Sequence, residues 1–305
     1  MRLVRPEPRS LPVEAALEEA RRLVEAGFRE IVLCGIHLGL YGHKKRHQVS
    51  FLQRNRPWHG QKCGFLCKKD TWCLFFGGLE GLVEALLRVP GTGRLRLSSL
   101  EPMEVSPGLL SLMAAEPDRL CPHLHLPLQS GDDDVLRRMG RPYTSADYLA
   151  VLVRVRRALT LPAVTTDVLV GFPGETGAAF ENTLRVLREA RVARVHVFPF
   201  SRRPGTPAAA MADQVPAEVI RRRRARAAEL GETLARAYRE SLIGRTAEVV
   251  IERVRSDGWA EGLSERYVRV RIAPPLGTGL ARRDLVAVRI QRAAGDWLEA
   301  EPAEP

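Results

Sequence analysis

No run of 18 apolar residues occurs in the 305-residue sequence, so no segment reads as a membrane-spanning helix. The opening stretch MRLVRPEPRSLP has no apolar h-region, and a secretory signal is therefore not expected. Cysteine is scarce. The chain holds five, an odd number, which does not suit the paired framework of a secreted domain and points to a reducing cytoplasm. No internal repeat is present.

What is present is an ordinary globular composition, 45% hydrophobic, long enough to bury one large core or two modest ones. The formal net charge of +11 invites a nucleic-acid partner, but the charge is unevenly placed. Residues 43–76 carry eight Lys/Arg and one Asp, whereas residues 243–305 carry ten Arg and ten acids. Most of the excess thus sits in one basic stretch and says little about the remainder.

Residues 11–26, LPVEAALEEARRLVEA, put Val13, Ala16, Leu17, Ala20, Leu23 and Val24 on one helical face, and Gly27 ends the helix. A short apolar strand, REIVLCG, follows. The alternation then repeats: GLEGLVEALLRVP before RLRLSSLEP, SPGLLSLMAAEP before LHLPLQSG, SADYLAVLVRVRRALT before TTDVLVGFPGE, and AAFENTLRVLREARV before RVHVFPFS. Five strands separated by helices predict parallel βα units. Leu124, Leu126 and Leu128 oppose His123, His125 and Gln129, and Val168 and Val170 oppose Thr165 and Asp167. One apolar and one polar face suits a barrel wall, since an open sheet covered by helices wants both faces apolar. Residues 215–242 predict a long, Arg-rich helix, with the arginine run 221–224 a solvated surface that also flanks an RNA path. Beyond Gly244 the period changes to two, and TAEVVIERV, EGLSERYVRVRI and LVAVRI predict a small β-barrel, with AAGDWLEAEPAEP as a tail. The expected division is a (β/α) domain over 1–214, interrupted by the basic insertion 43–76, then a linking helix over 215–242, a β-domain over 243–300 and a tail over 301–305.

Polar groups gather where successive strands end. TTDVLVGFPGET runs a strand into Gly171 and a Pro173–Gly174 turn before Glu175 opens a helix. Such a turn lets backbone approach a ligand and favours anionic groups, though alone it is an ordinary βα connection. HLHLPLQSG ends on Gln129, Ser130 and Gly131, and SSLEP places Glu101 in the equivalent position one strand earlier. Taken singly these are capping residues. Three successive strands ending this way point to a site at the C-terminal rim of a barrel.

Together, HLHLPLQSGDDDVLRRMGRPYT, TTDVLVGFPGET and HVFPFSRRPGTPAAAM resemble the radical S-adenosylmethionine methylthiotransferases. The wording CPHLHLPLQSG and HVFPFSRRPGT is most similar to the branch that modifies threonylcarbamoyladenosine beside the tRNA anticodon. The resemblance covers residues 10–42 and 77–300. It implies an α/β fold, a partial (β/α) radical-SAM barrel here lacking its first strand, followed by a small all-β TRAM-like barrel. It implies S-adenosylmethionine as cofactor and tRNA as partner. Glu101, Gln129, Ser130, Asp167, Gly171 and Glu175 fall where such barrels contact S-adenosylmethionine. Tyr267, Arg269 and Arg271, alternating in RYVRVRI, fall where a β-domain would present stacking and phosphate-binding groups to RNA, or where a solvated strand face would lie.

The family replaces an aromatic C–H by C–S–CH3, a bond that side-chain acids and bases cannot open, and so relies on a radical-generating cofactor. Its members hold 4Fe-4S clusters, one of them on a C-x3-C-x2-C loop that precedes the stretch matching residues 9–42. No such spacing occurs in these 305 residues. The cluster CGFLCKKDTWC is spaced C-x3-C-x5-C and lies within the insertion. His59, Cys63, Cys67 and Cys73 offer four zinc ligands, but the composition reads better as a disordered basic insertion, and no metal site is assigned. Cys34 and Cys121, at strand ends, are expected as small buried residues. The expectation is a methylthiotransferase-derived chain that is inactive as written. Alternatives are a non-catalytic tRNA-binding remnant, a methylthiotransferase acting on isopentenyladenosine, and an unrelated barrel enzyme doing acid–base chemistry with His123, His125 and Asp167.

Overall fold

The computed structural model describes residues 10–35, 37–42, 78–274 and 280–303. In chain order these form α1 (Val13–Glu25), β1 (Glu30–Leu33), α2 (Gly78–Leu87), β2 (Arg94–Leu97), α3 (Pro107–Ala115), β3 (His123–His125), α4 (Asp133–Arg138), α5 (Ser145–Ala158), β4 (Ala163–Val170), α6 (Gly177–Ala190), β5 (Arg194–Pro199), α7 (Pro207–Ala210) and α8 (Ala217–Glu240). Helix starts follow the polar residues that precede them. Ser106 accepts from the Leu109 N–H, Asp132 from Val135, Thr144 from Asp147 in a reciprocal capping box, and Thr176 from Ala179.

β1 and β2 pair in parallel, as do β3, β4 and β5 in that order. Isolated bridges from Leu95 to Leu120 and from Ser99 to His125 join the two sets. The period-two pattern then sorts the side chains. Leu95, Leu97, Leu124, Leu126, Val164 and Val168 are fully buried in the core beneath the helices, and Leu109, Tyr148, Leu152, Phe180 and Leu187 complete it. The opposite face carries Glu30, Arg94, Arg96, His123, His125, Thr165, Asp167 and His196, brought into register by the parallel pairing. The fold is therefore α/β, with one apolar and one polar face per strand, as the sequence predicts.

After α8 come β6 (Thr246–Val254), β7 (Ala260–Ser264), β8 (Arg269–Ile272), β9 (Leu285–Ala294) and β10 (Trp297–Pro302), closed into a barrel in the order β10-β8-β7-β6-β9. Val249, Ile251, Val270, Ile272, Val288, Ile290 and Leu298 fill it. Two expectations are corrected here. The stretch 261–272 is not one strand, because a turn at 265–268 with Tyr267 at φ +60 separates β7 from β8. The alternation resumes in phase after the turn, which hides it in the sequence. The stretch read as a tail forms β10, which pairs with both β8 and β9 and closes the barrel. Its acids and prolines mask the inward alternation of Leu298 and Ala300.

The two domains meet through charge. Glu30 accepts from Arg94 Nε at 2.6 Å and from Arg96 Nε and Nη2 at 2.7 and 2.9 Å. The same two guanidinium groups donate to the carbonyls of Glu248, Leu263, Ser264 and Glu265 in the β-barrel. Burial works to raise the Glu30 carboxyl, but Arg96 and Arg94 outweigh it and hold the group below the usual carboxylate range. A strand reading RLRL with both arginines buried is thus a clamp between domains.

Candidate functional site

The inner face of the half-barrel gathers three histidines. His125 Nδ1 lies 2.9 Å from Thr165 Oγ1, and His125 Nε2 lies 3.3 Å from Asp167 Oδ2. The His196 ring, from the neighbouring strand, sits 6.0 Å from that of His125. His123 is 3.3 Å from Thr165 Oγ1 and stacks against Tyr267 at 4.9 Å. Burial, with Arg96 and His125 nearby, pushes the His123 pKa down to about 3, so this ring is neutral at physiological pH. His196 is also lowered, first by burial and then by Arg194, with Asp167 opposing. The imidazoles of this face and the Asp167 carboxylate supply donors and acceptors suited to a polar, uncharged ring such as a nucleobase.

The six candidates at the rim divide by what their side chains touch. Asp167 faces the inner surface beside His125. Gln129 takes a left-handed conformation, φ +65, while its N–H bonds the Asp167 carbonyl and its carbonyl accepts from Leu169. Glu101 accepts from Arg141 Nη1 at 2.9 Å, and its other oxygen is buried without a partner. Gly171 has φ +80, and a Cβ there would collide with Ile220. Ser130 and Glu175 point into the protein. Ser130 is fully buried, 3.3 Å from Thr183 Oγ1, and accepts from the Asp132 N–H. Glu175 Oε2 accepts from the Gly171 N–H and from Arg223 Nη1, both at 2.7 Å. Their partners are loop N–H groups, of Asp132 and Gly171, and side chains of α6 and α8, so they tie the βα loops to those helices.

Tyr267, Arg269 and Arg271, expected on one strand face, do not share one. Tyr267 sits in the turn, with its ring against His123 and with Arg96 5.0 Å from its centroid. Arg269 and Arg271 do share a face of β8, above the Trp297 ring at 5.5 and 4.3 Å, and Arg271 also pairs with Glu261 at 3.3 Å. Cys121 is buried, with burial raising its thiol to about 11 against the pull of Arg96 and Arg94. Cys34 is exposed, contrary to expectation, as is Val32 two residues before it in β1. Among the described residues no three His, Cys, Asp or Glu side chains converge on a metal position. The candidates His59, Cys63, Cys67 and Cys73 lie outside the described residues. His125 and Asp167 do meet as an acid–base reading would need, but His123 is closed off beneath Tyr267. Sequence reasoning missed Glu30, Arg94, Arg96 and His196. The alternation of RLRL and RVHV was the available signal for Arg94, Arg96 and His196, since it places each on the polar side of its strand, whereas Glu30 opens EIVL, which carries no such alternation.

A family model described as the Radical SAM superfamily matches residues 3–187. The chain is 36% identical over 261 residues to a threonylcarbamoyladenosine tRNA methylthiotransferase, MtaB, of Thermotoga maritima, covering 86% of this chain and 53% of that protein. It is 40% identical over 235 residues to a tRNA-2-methylthio-N(6)-dimethylallyladenosine synthase of Nocardia farcinica, covering 77% and 42%. Against the synthase of the same description from Sphingopyxis alaskensis it is 36% identical over 294 residues, covering 96% and 60%. The chain thus spans about half the length of these curated relatives. Among solved structures, the radical SAM methyltransferase TsrM of Kitasatospora setae matches with a TM-score of 0.46 at 15% identity, over 65% of this chain and 33% of that one. Coproporphyrinogen III oxidase of Escherichia coli matches with a TM-score of 0.42 at 18% identity, over 52% and 37%.

Proposed function

Because the chain belongs to the radical SAM superfamily, we propose that it supplies the S-adenosylmethionine- and tRNA-binding part of a tRNA methylthiolation, at C2 of N6-threonylcarbamoyladenosine beside the anticodon, and does not by itself hold the radical-generating cluster. The observation that carries this reading is the contact between domains: Tyr267 of the β-barrel lies against His123 on the inner face of the half-barrel. RNA held by the β-domain is thereby presented to His125, His196 and Asp167, which stay partly open on that face beside the covered His123. The relatives named as tRNA methylthiotransferases support the reaction, and the HVFPFSRRPGT wording supports the threonylcarbamoyl substrate. A second substrate, isopentenyladenosine, is favoured by the relatives named as dimethylallyladenosine synthases.

The two cofactors that the superfamily implies fit the described residues differently. The partnerless buried oxygen of Glu101 is an acceptor for an ammonium or hydroxyl donor, so S-adenosylmethionine fits, with Glu101, Gln129 and Asp167 to hold it. When bound, it supplies the methyl group and the radical precursor that C–H functionalisation needs. The Asp167 carboxylate orients His125 through the 3.3 Å contact, and Thr165 fixes the other side of that ring. A four-iron cluster needs three thiolates on one iron-facing loop. The described cysteines are Cys34, exposed, and Cys121, buried, so the described residues do not fit it.

Anaerobic reconstitution of this 305-residue polypeptide with iron and sulfide is expected to give no iron–sulfur absorption and no cleavage of S-adenosylmethionine, while tRNA still binds. The reason is that only three of the five cysteines cluster, and those are spaced C-x3-C-x5-C. Recovery of about 4 irons per chain, lost on replacing Cys63, Cys67 and Cys73, would reverse this. Absence of tRNA binding would remove the substrate reading.

A further inference from the structure

A cleft of about 420 Å³ opens between the outer edge of β5, the flank of α8 and the turn between β7 and β8. That volume falls within the roughly 300–1,000 Å³ of small-ligand sites. Small residues on α8 keep it open. Ala228, Gly231 and Ala235 face β5, and a Cβ on Gly231 would come within 3.1 Å of Val195. The walls are basic, with Arg194 from β5, Arg224 and Arg239 from α8, and Arg266 and Arg269 from the turn and β8, against only Glu232 and Asp296.

Some of this charge is already engaged. Arg239 Nη2 donates to Glu232 at 2.5 Å, Arg266 donates to the Leu161 carbonyl and pairs with Glu265, and Arg269 lies over Trp297. Among the described residues, the side chains of Arg194 and Arg224 make no hydrogen bond or ion pair. Arg239 is only 8% exposed, and its Nε is buried with no acceptor. A desolvated cationic N–H without a partner is costly, and an oxyanion entering the cleft supplies one. Thr165 and His196 line the inner end, so the cleft runs into the face that carries Asp167 and His125.

We propose that this cleft is a phosphate-binding site for single-stranded RNA, seating on Arg194, Arg224 and Arg239 the phosphodiesters next to the nucleoside presented on the inner face. The inference rests on the tRNA reading above and adds the groove and residues that hold the strand. Guanidinium forks match phosphate oxygens, and both free arginines lie on exposed surface, so replacing them leaves the core intact.

The test measures the affinity of the full chain for a labelled short single-stranded oligoribonucleotide and for bulk tRNA across a salt series. Arg194→Ala combined with Arg224→Ala is expected to weaken oligoribonucleotide binding roughly tenfold or more and to lower the slope of log K against log salt by about 1.4. Arg222→Ala combined with Arg236→Ala, exposed on another side of α8, removes equal charge and is expected to leave the slope unchanged. Equal effects of the two double variants would overturn the proposal, as would equally tight binding of an acidic peptide. Loss of tRNA binding in neither variant sinks the cleft while leaving the tRNA reading in place. Cleft-dependent oligoribonucleotide binding without tRNA binding supports the cleft and removes the tRNA reading. Failure of the unaltered chain to bind either RNA overturns both.

Discussion

Glu30→Ala is expected to lower the unfolding free energy by about 3–5 kcal/mol, the range for breaking a buried ion pair from one side. Arg94 and Arg96 are 0% and 2% exposed, and Glu30 is their shared carboxylate. Its removal leaves two guanidinium groups out of water, with barrel carbonyls as acceptors and, for Arg94 alone, the Glu248 carboxylate at 3.8 Å. Those carbonyls belong to β6, β7 and the turn that follows, so the loss falls on the seating of the β-barrel as well as on the half-barrel. Chemical denaturation therefore separates into two transitions in the variant. Glu30→Gln keeps a carbonyl acceptor and falls between the variant and the parent. A change of less than about 0.5 kcal/mol, typical of unremarkable surface positions, would contradict the clamp. The linkage has a definite sign. A carboxyl held below its unfolded value contributes stability above that value and loses it as pH falls through the folded one, so the clamp is weakened by acid.

The second large effect separates residues that a sequence motif groups together. Glu175→Ala leaves Arg223, which is 8% exposed, without its carboxylate and with only the backbone carbonyl of residue 175, and frees the Gly171 N–H, so a loss of about 3 kcal/mol is expected. Glu101→Ala acts on a side chain that is a quarter exposed, as is its partner Arg141, and is expected to cost no more than about 1 kcal/mol. Thermal or urea denaturation of the two variants side by side reads this directly. Similar losses at both positions would mean that the division between loop-fixing Glu175 and ligand-facing Glu101 is wrong.

The half-barrel was legible because its strands and helices carry different periods, and because Ser106, Thr144 and Thr176 mark helix starts by chemistry local to each. The β-barrel was legible less completely. Tyr267 looked like a strand residue since the turn adds a number of residues that keeps the alternation in phase, and a left-handed tyrosine leaves no trace in composition. The role of β10 depends on partners more than twenty residues away in β8, which no local pattern reports. The rim illustrates the same limit from the functional side. Ser130 and Glu175 both follow strands and open loops in a ligand-binding manner, yet only contacts in three dimensions show that Thr183 and Arg223 take them up. Charge was the least legible property, since Arg94 and Arg96 contribute to the same formal total as the solvated Arg222 while being sealed between domains.

The most direct test of the central claim is nucleoside analysis of tRNA from the source organism before and after deletion of the gene, by liquid chromatography and mass spectrometry. The account predicts that 2-methylthio-N6-threonylcarbamoyladenosine disappears and that its precursor without the methylthio group accumulates. Loss of the isopentenyl counterpart instead would move the substrate to the second reading. Unchanged levels of both methylthiolated nucleosides would contradict a role in tRNA methylthiolation.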